Sequence, residues 1–196
     1  MIRTSLAALI VAGLAAAPAV AEQDQIQVGA AIGPEVGSAA PDVSLVRPDG
    51  TEVSLDALTG TNGVAISFVR SLDWCPYCQK QAAELEAANA PLEAAGWPLV
   101  LVSYDDTETL AEFAAKKELT YTLASDPDSA AIMAFGLLNE DMQKGSKYWG
   151  VPHPAIVFID ADGTVAAVLR EEGYKDRPPV EVVTQTALDL NEAAGR

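Results

Sequence analysis

Cys75 and Cys78 are the chain's two cysteines, three residues apart in the run Trp74-Cys75-Pro76-Tyr77-Cys78. The apolar stretch Val64 to Val69 precedes them and a pattern rich in alanine and glutamate follows, which places the pair on a strand-to-helix turn. The N–H groups of a helix's first turn have no intrahelical partners and carry partial positive charge, so a thiolate there is stabilised and its pKa falls. Such a pair can attack and resolve near neutral pH. The other chemistries open to a C-x-x-C pair need residues that this chain lacks. A tetrahedral zinc site requires four ligands, whereas the sequence adds one histidine, His153, and no further cysteine. Covalent haem requires histidine directly after the second cysteine, where Gln79 stands. A bridge that only stabilises gains from a long closed loop, and two intervening residues make a short one. No metal and no cofactor are therefore expected. A redox-inactive binding module with a permanent disulfide is the rival from a different class.

The elements that must position this turn follow from periodicity. Val43, Leu45 and Val53, Leu55 flank Pro48-Asp49-Gly50, an alternation around a turn signal that predicts a hairpin. Val64 to Val69 and Leu99 to Val102 predict buried strands. Between them Gln79 to Ala94 predicts a helix with Leu85, Ala88 and Leu92 on one face and Gly96 beyond its end. Asp105, three residues before Glu108, reads as a capping box opening a second helix through Leu110 and Phe113. A short strand at Tyr121 to Leu123 and a short helix from Ser129 to Phe135 come next. A second hairpin spans Ala155 to Leu169 around Asp160-Ala161-Asp162-Gly163, and Pro178-Pro179 introduces a last helix through about Ala193. Strands alternating with helices, closed by an antiparallel hairpin, predict an α/β fold: a mixed central sheet with helices on both faces.

Residues 1–21 carry one positive charge at Arg3, an apolar run from Leu6 to Ala17 and the small-residue ending Ala19-Val20-Ala21. That pattern predicts a secretory signal peptide cleaved before Glu22, because the run is shorter than the roughly 20 residues a membrane-spanning helix needs. The expected address is periplasmic or secreted, with no membrane association after cleavage. Residues 22–40 lack a steady period and read as a flexible lead-in, leaving 41–196 as one domain. A formal charge of −16 opposes phosphate backbones, so nucleic acid is excluded as a partner.

Taken together, Pro41-Asp42, Pro48-Asp49-Gly50, the Trp74-to-Cys78 turn, Ser125-Asp126-Pro127-Asp128 and Val151-Pro152-His153-Pro154-Ala155 leading into Phe158-Ile159-Asp160 resemble the alkyl hydroperoxide reductase and thiol-specific antioxidant group, peroxiredoxin-like proteins of thioredoxin fold. The resemblance covers nearly the whole of the expected mature chain, residues 22–196. It implies a thioredoxin-like sheet with an N-terminal hairpin extension, Cys75 and Cys78 as catalytic residues, and a cis Pro154 beside them, although His153-Pro154 also permits an ordinary trans proline before a strand. Trp74, Tyr77, His153 and Pro154 are the expected substrate-binding residues; packing of Trp74 beneath the turn is an equal alternative. Peroxide or disulfide is the implied substrate, and a thioredoxin-like thiol protein the implied reductant.

The family's peroxidatic pattern, P-x-x-x-T/S-x-x-C, is not kept. Counted from Cys78, its proline and hydroxyl positions hold Ser71 and Cys75; counted from Cys75, they hold Phe68 and Leu72. No arginine is evident beside the sulfurs, Pro154 standing near where some relatives carry it, and Arg70 reads as solvated. Thiol-disulfide exchange with slow peroxide reduction is the expected activity, Cys75 being the nucleophile nearer the helix start. The alternative is a true thiol peroxidase with Cys78 peroxidatic and Cys75 resolving.

Overall fold

The computed structural model describes residues 32–173 and 175–196; the expected signal peptide lies outside them. Within these residues a seven-stranded mixed sheet runs in the order β2-β1-β5-β4-β3-β6-β7. Its strands are β1 (Ser44–Val46), β2 (Glu52–Ser54), β3 (Gly63–Phe68), β4 (Leu99–Ser103), β5 (Thr122–Ser125), β6 (Ala155–Asp160) and β7 (Val165–Leu169). β3, β4 and β5 are parallel neighbours, whereas β6 pairs antiparallel with β3 and brings Ala155 opposite Phe68. The predicted hairpins are β1–β2, with Leu45 opposite Val53, and β6–β7, with Ile156 opposite Leu169.

Helices cover both faces, which is why β3 and β4 read as continuous apolar runs rather than alternations: every residue of each is buried. On one face lie α1 (Pro76–Ala94), α2 (Thr107–Lys117) and α4 (Val180–Ala193). Their Leu85, Leu92, Leu110, Phe113 and Val183 pack with Ala65, Leu101 and Phe158 of the sheet. The other face takes α3 (Ala130–Ala134) and the turn Asp56–Leu58, with Ile132 and Leu58 against Val64, Ile66 and Phe68. Fully burying one such leucine contributes on the order of 2 kcal/mol.

α1 shows how the sequence fixes the site. Cys78, Gln81, Ala82, Leu85, Ala88 and Leu92 recur at helical spacing and form its buried stripe. Pro76 starts the helix where its missing N–H costs nothing, and Cys75 is the N-cap. At the helix's far end, Trp97 Nε1 donates to Asn191 Oδ1 at 2.9 Å and Asn191 Nδ2 donates to Ala95 O at 2.9 Å, anchoring the end of α4. Before α4, Arg177 Nε donates to Gln81 Oε1 of α1 at 2.6 Å.

Three expectations are corrected here. Order begins before Pro41: Gly33 N–H donates to Gly136 O, Gly37 to Val165 O and Ala40 to Gly163 O, so the later part of the 22–40 lead-in is pinned to the α3 and β6–β7 turns. The cap of α2 is Asp106, whose carboxylate accepts from Thr109 N at 2.8 Å, because Asp105 is drawn inward to another task. No peptide bond among the described residues is cis, so Pro154 enters β6 through a trans bond. The strand approach needs no reversal there: Pro152 bridges to Leu138 and His153 N–H donates to Leu137 O at 2.7 Å, which already aligns the chain with β6.

Candidate active site

The chain leaving β3 turns back within a few residues to start α1, and one carboxylate organises that turn. Asp105, just past β4, accepts from Ser71 Oγ at 2.7 Å, Leu72 N at 2.6 Å and Ser103 Oγ at 2.8 Å. Ser71 Oγ in turn accepts from the N–H groups of Asp73 and Trp74 at 3.0 and 3.3 Å. Gln79 closes the loop from the helix side, its Nε2 donating to the carbonyls of Leu72 and Asp73 at 2.8 Å each. Burial holds the Asp105 carboxyl above the usual carboxylate range, and these donors oppose that shift.

On this frame Cys75 and Cys78 are joined as a disulfide. Cys75 Sγ accepts from Cys78 N at 3.3 Å, the N-terminal amide interaction that the spacing anticipates. The two sulfurs do not differ in exposure: Cys75 is 1 % exposed and Cys78 0 %. Burial therefore does not select the nucleophile.

Charge does distinguish the two sulfurs. Arg177, in the segment between β7 and α4, directs Nη2 to Cys78 Sγ at 3.5 Å. Its Nε donates to Gln81 Oε1 at 2.6 Å and its Nη1 to Asp176 O at 2.6 Å. Gln81 lies one turn beyond Cys78 on the buried stripe, so one helix face presents both the sulfur and the group that aims the guanidinium at it. Burial, and then the like charge of Arg70, lower the Arg177 pKa to about 10, with Asp176 opposing. Sequence reading missed this arginine because it stands 99 positions from Cys78. The available signal was Gln81 itself, a polar residue on an otherwise apolar stripe that needs a partner when buried.

The remaining site residues divide. Trp74 is half-buried, donates Nε1 to Tyr104 Oη at 2.9 Å and meets the Tyr148 ring edge-on at 4.8 Å. The Arg70 guanidinium lies 4.8 Å above the Trp74 ring, which corrects its reading as a solvated side chain. Tyr77 is 37 % exposed and lines a cleft of about 720 Å³ between α1 and residues 175–181, with Gln81 and Arg177 also in its wall. His153 and Pro154 sit at the same end of the sheet, just before Ala155, yet the charges His153 feels are those of Arg170 and Asp141. Burial, then Arg170, lower its pKa. Among the described residues, no group of three or more histidine, cysteine, aspartate or glutamate side chains is arranged to hold a metal ion.

Comparison with known proteins identifies the family and the fold. The family model described as AhpC/TSA matches residues 36–168. Peroxiredoxin Bcp of Escherichia coli strain K12 is 33 % identical over 134 residues, covering 68 % of this chain and 84 % of that protein. The crystal structure of a peroxiredoxin-like protein from Aquifex aeolicus superposes with a TM-score of 0.69 at 25 % identity, over 81 % of this chain and 90 % of that one. Peroxidoxin BcpB from Mycobacterium tuberculosis, at 22 % identity and a TM-score of 0.67, shares the fold over 82 % of this chain and 97 % of its own. The match over most of the chain, by family model, by sequence and by fold, shows that the chain belongs to the AhpC/TSA family and is a thioredoxin-fold thiol oxidoreductase of the peroxiredoxin-like group.

Proposed function

We propose that the chain is an exported dithiol oxidoreductase in which Cys78 carries the reactive thiolate, Cys75 resolves, and disulfide exchange outpaces peroxide reduction. The observation that carries this reading is the Arg177 guanidinium 3.5 Å from Cys78 Sγ. A fixed positive charge beside one sulfur favours its ionised form, so Cys78 replaces Cys75 as the nucleophile inferred from sequence.

With a disulfide substrate, the Cys78 thiolate attacks one sulfur and expels a substrate thiolate; Cys75, deprotonated, then attacks Cys78 Sγ and expels the second. Two electrons pass from the pair to the substrate. With a peroxide, the Cys78 thiolate attacks the O–O bond and becomes a sulfenic acid while an alkoxide or hydroxide leaves and takes a proton; Cys75 displaces water to form the disulfide. A thiol protein that donates two electrons and two protons restores the pair. Peroxide reduction is the slower branch because the position where the family carries its hydroxyl holds Cys75. The Ser71 hydroxyl, at the proline position, is committed to Asp105 and to two backbone N–H groups. Export rests on the sequence pattern of residues 1–21.

Stopped-flow oxidation of the reduced protein by a model disulfide and by hydrogen peroxide tests the scheme, with Cys75→Ser and Cys78→Ser compared in each. The expected result is faster reaction with the disulfide and loss of the first step in Cys78→Ser alone. A first step that survives in Cys78→Ser and vanishes in Cys75→Ser would return the nucleophile to Cys75.

A further inference from the structure

Gln79, the residue after Cys78, ties the two flanks of the C-x-x-C turn to each other. Its Nε2 carries two hydrogens and directs them to two main-chain carbonyls ahead of Cys75, Leu72 O and Asp73 O, each at 2.8 Å. Its backbone N–H donates to Cys75 O at 3.0 Å. One half-buried side chain at the start of α1 therefore closes a hydrogen-bonded loop around the smaller loop that the disulfide closes. Leu72 is held twice, its N–H by Asp105 Oδ2 at 2.6 Å and its carbonyl by Gln79, so the tie runs from α1 through the turn to the end of β4.

This tie bears on the reaction through Cys75. As the N-cap of α1, Cys75 has an extended backbone. Once its bond to Cys78 is broken, the placement of its sulfur depends on residues 72–74 ahead of it and on the first turn behind it. The disulfide and the Gln79 amide order the same residues, so each lowers the conformational cost of forming the other, and this coupling is reciprocal. We propose that Gln79 is a positioning residue that presents Cys75 to Cys78, raising the effective concentration of one sulfur at the other. It thereby speeds resolution and stabilises the disulfide over the dithiol, a role that rests on the exchange reading above. In the step concerned, Cys75 gives its proton to water and its thiolate attacks Cys78 Sγ of the mixed disulfide. The Cys75–Cys78 bond forms as the Cys78–substrate bond breaks, and the electron pair leaves on the substrate thiolate. Both Nε2 hydrogens end on carbonyls rather than on a sulfur, so the loss on removing them falls on resolution and not on the first attack.

Gln79→Met keeps the length of the side chain and removes both donors. The reduced full-length protein is mixed with hydroxyethyl disulfide, quenched with acid at intervals and analysed by mass, which separates mixed disulfide from closed disulfide. In the variant the resolving step is expected to slow about tenfold, so that mixed disulfide accumulates; tenfold lies in the lower part of the range usual for two coupled sites. Equilibration with reduced and oxidised dithiothreitol should show the disulfide about tenfold less stable, a rise in potential of about 30 mV for a two-electron couple. Asn89→Ala is the control: it removes the 2.8 Å bond from Asn89 Nδ2 to Thr120 Oγ1 further along α1, and its potential should match the wild type. Gln79→Asn, one methylene too short to span both carbonyls, should shift the equilibrium in the same direction and gives the result if the methionine variant does not fold. A folded Gln79 variant in which either the resolving rate or the potential is unchanged overturns the proposal, and so does an equal shift in Asn89→Ala. A wild-type pair that neither closes with hydroxyethyl disulfide nor opens with dithiothreitol defeats the exchange reading and the inference with it; a pair that cycles alike in wild type and variant defeats the inference alone.

Discussion

Replacing Arg177 by methionine in a Cys75→Ser background isolates the charge on Cys78. At the 3.5 Å separation seen here, Coulomb's law with an effective dielectric of about 20 gives roughly 5 kcal/mol between a guanidinium and a thiolate, a ceiling of about 3.5 pKa units. Two effects reduce it. Cys78 is fully buried, which penalises its ionised form whether or not Arg177 is present, and Arg177 shares its donors with Gln81 and the Asp176 carbonyl. The expected rise in the Cys78 pKa is therefore about 1–2 units, within the usual range for an opposite charge at this distance. Thiolate ultraviolet absorbance against pH measures it, and the pH dependence of alkylation by iodoacetamide gives an independent value. Arg177→Lys should recover part of the shift, because a point charge on a flexible stem replaces the fork but not its aim from Gln81. A Cys78 pKa unchanged in Arg177→Met, with the variant folded, would refute electrostatic control by this residue.

The same geometry makes further predictions. Asp105→Ala removes the acceptor of Leu72 N–H and of two serine hydroxyls and should cost about 2–4 kcal/mol, lowering the melting temperature by roughly 5–15 °C in calorimetry. Since the Asp105 pKa is raised in the fold, its contribution to stability is greatest below the unfolded carboxylate pKa and is lost as pH rises through the higher native value; Asp105→Asn should flatten that part of the stability-versus-pH curve. Reduction by dithiothreitol should change tryptophan fluorescence reversibly, and Trp74→Phe should remove most of the change because Trp74 adjoins Cys75; a signal unaffected by that substitution would place the reporter elsewhere. Mass measurement of exported protein should give a chain beginning at Glu22, and an intact Met1 in the membrane fraction would contradict cleavage.

Local patterns in the sequence were legible where the physics is local. The C-x-x-C turn, the buried stripe of α1 and the two hairpins each follow from spacing, because a helix face or a two-stranded turn involves residues close along the chain. Asp105 and Asp106 show where spacing stops deciding. The spacing to Glu108 marked Asp105 as the cap of α2, and the cap is Asp106 because Asp105 is recruited by Ser71 and Leu72 across the sheet. Arg177 is the extreme case: nothing near it in the chain marks it as a sulfur's neighbour, and its place follows from β7 lying beside β6 and the next segment folding back along α1. At Pro154 the residues themselves allowed a trans bond before a strand, and the structure has that state rather than the cis one implied by the family resemblance.

The distance along the chain between Cys78 and Arg177 also gives the redox pair a dependence on assembly. A thiol tuned only by its own helix end acquires its reactivity as soon as that helix forms, whereas this one waits until the last strand has joined the sheet and the segment after it has docked. Before then, Cys75 and Cys78 have only their own helix end to stabilise a thiolate. A local opening that lifts residues 175–181 from α1 would return them to that condition while leaving the sheet in place. The Cys78 pKa in this protein thus reports on the docking of the segment before α4, and graded denaturation should raise that pKa before the far-ultraviolet signature of the sheet is lost.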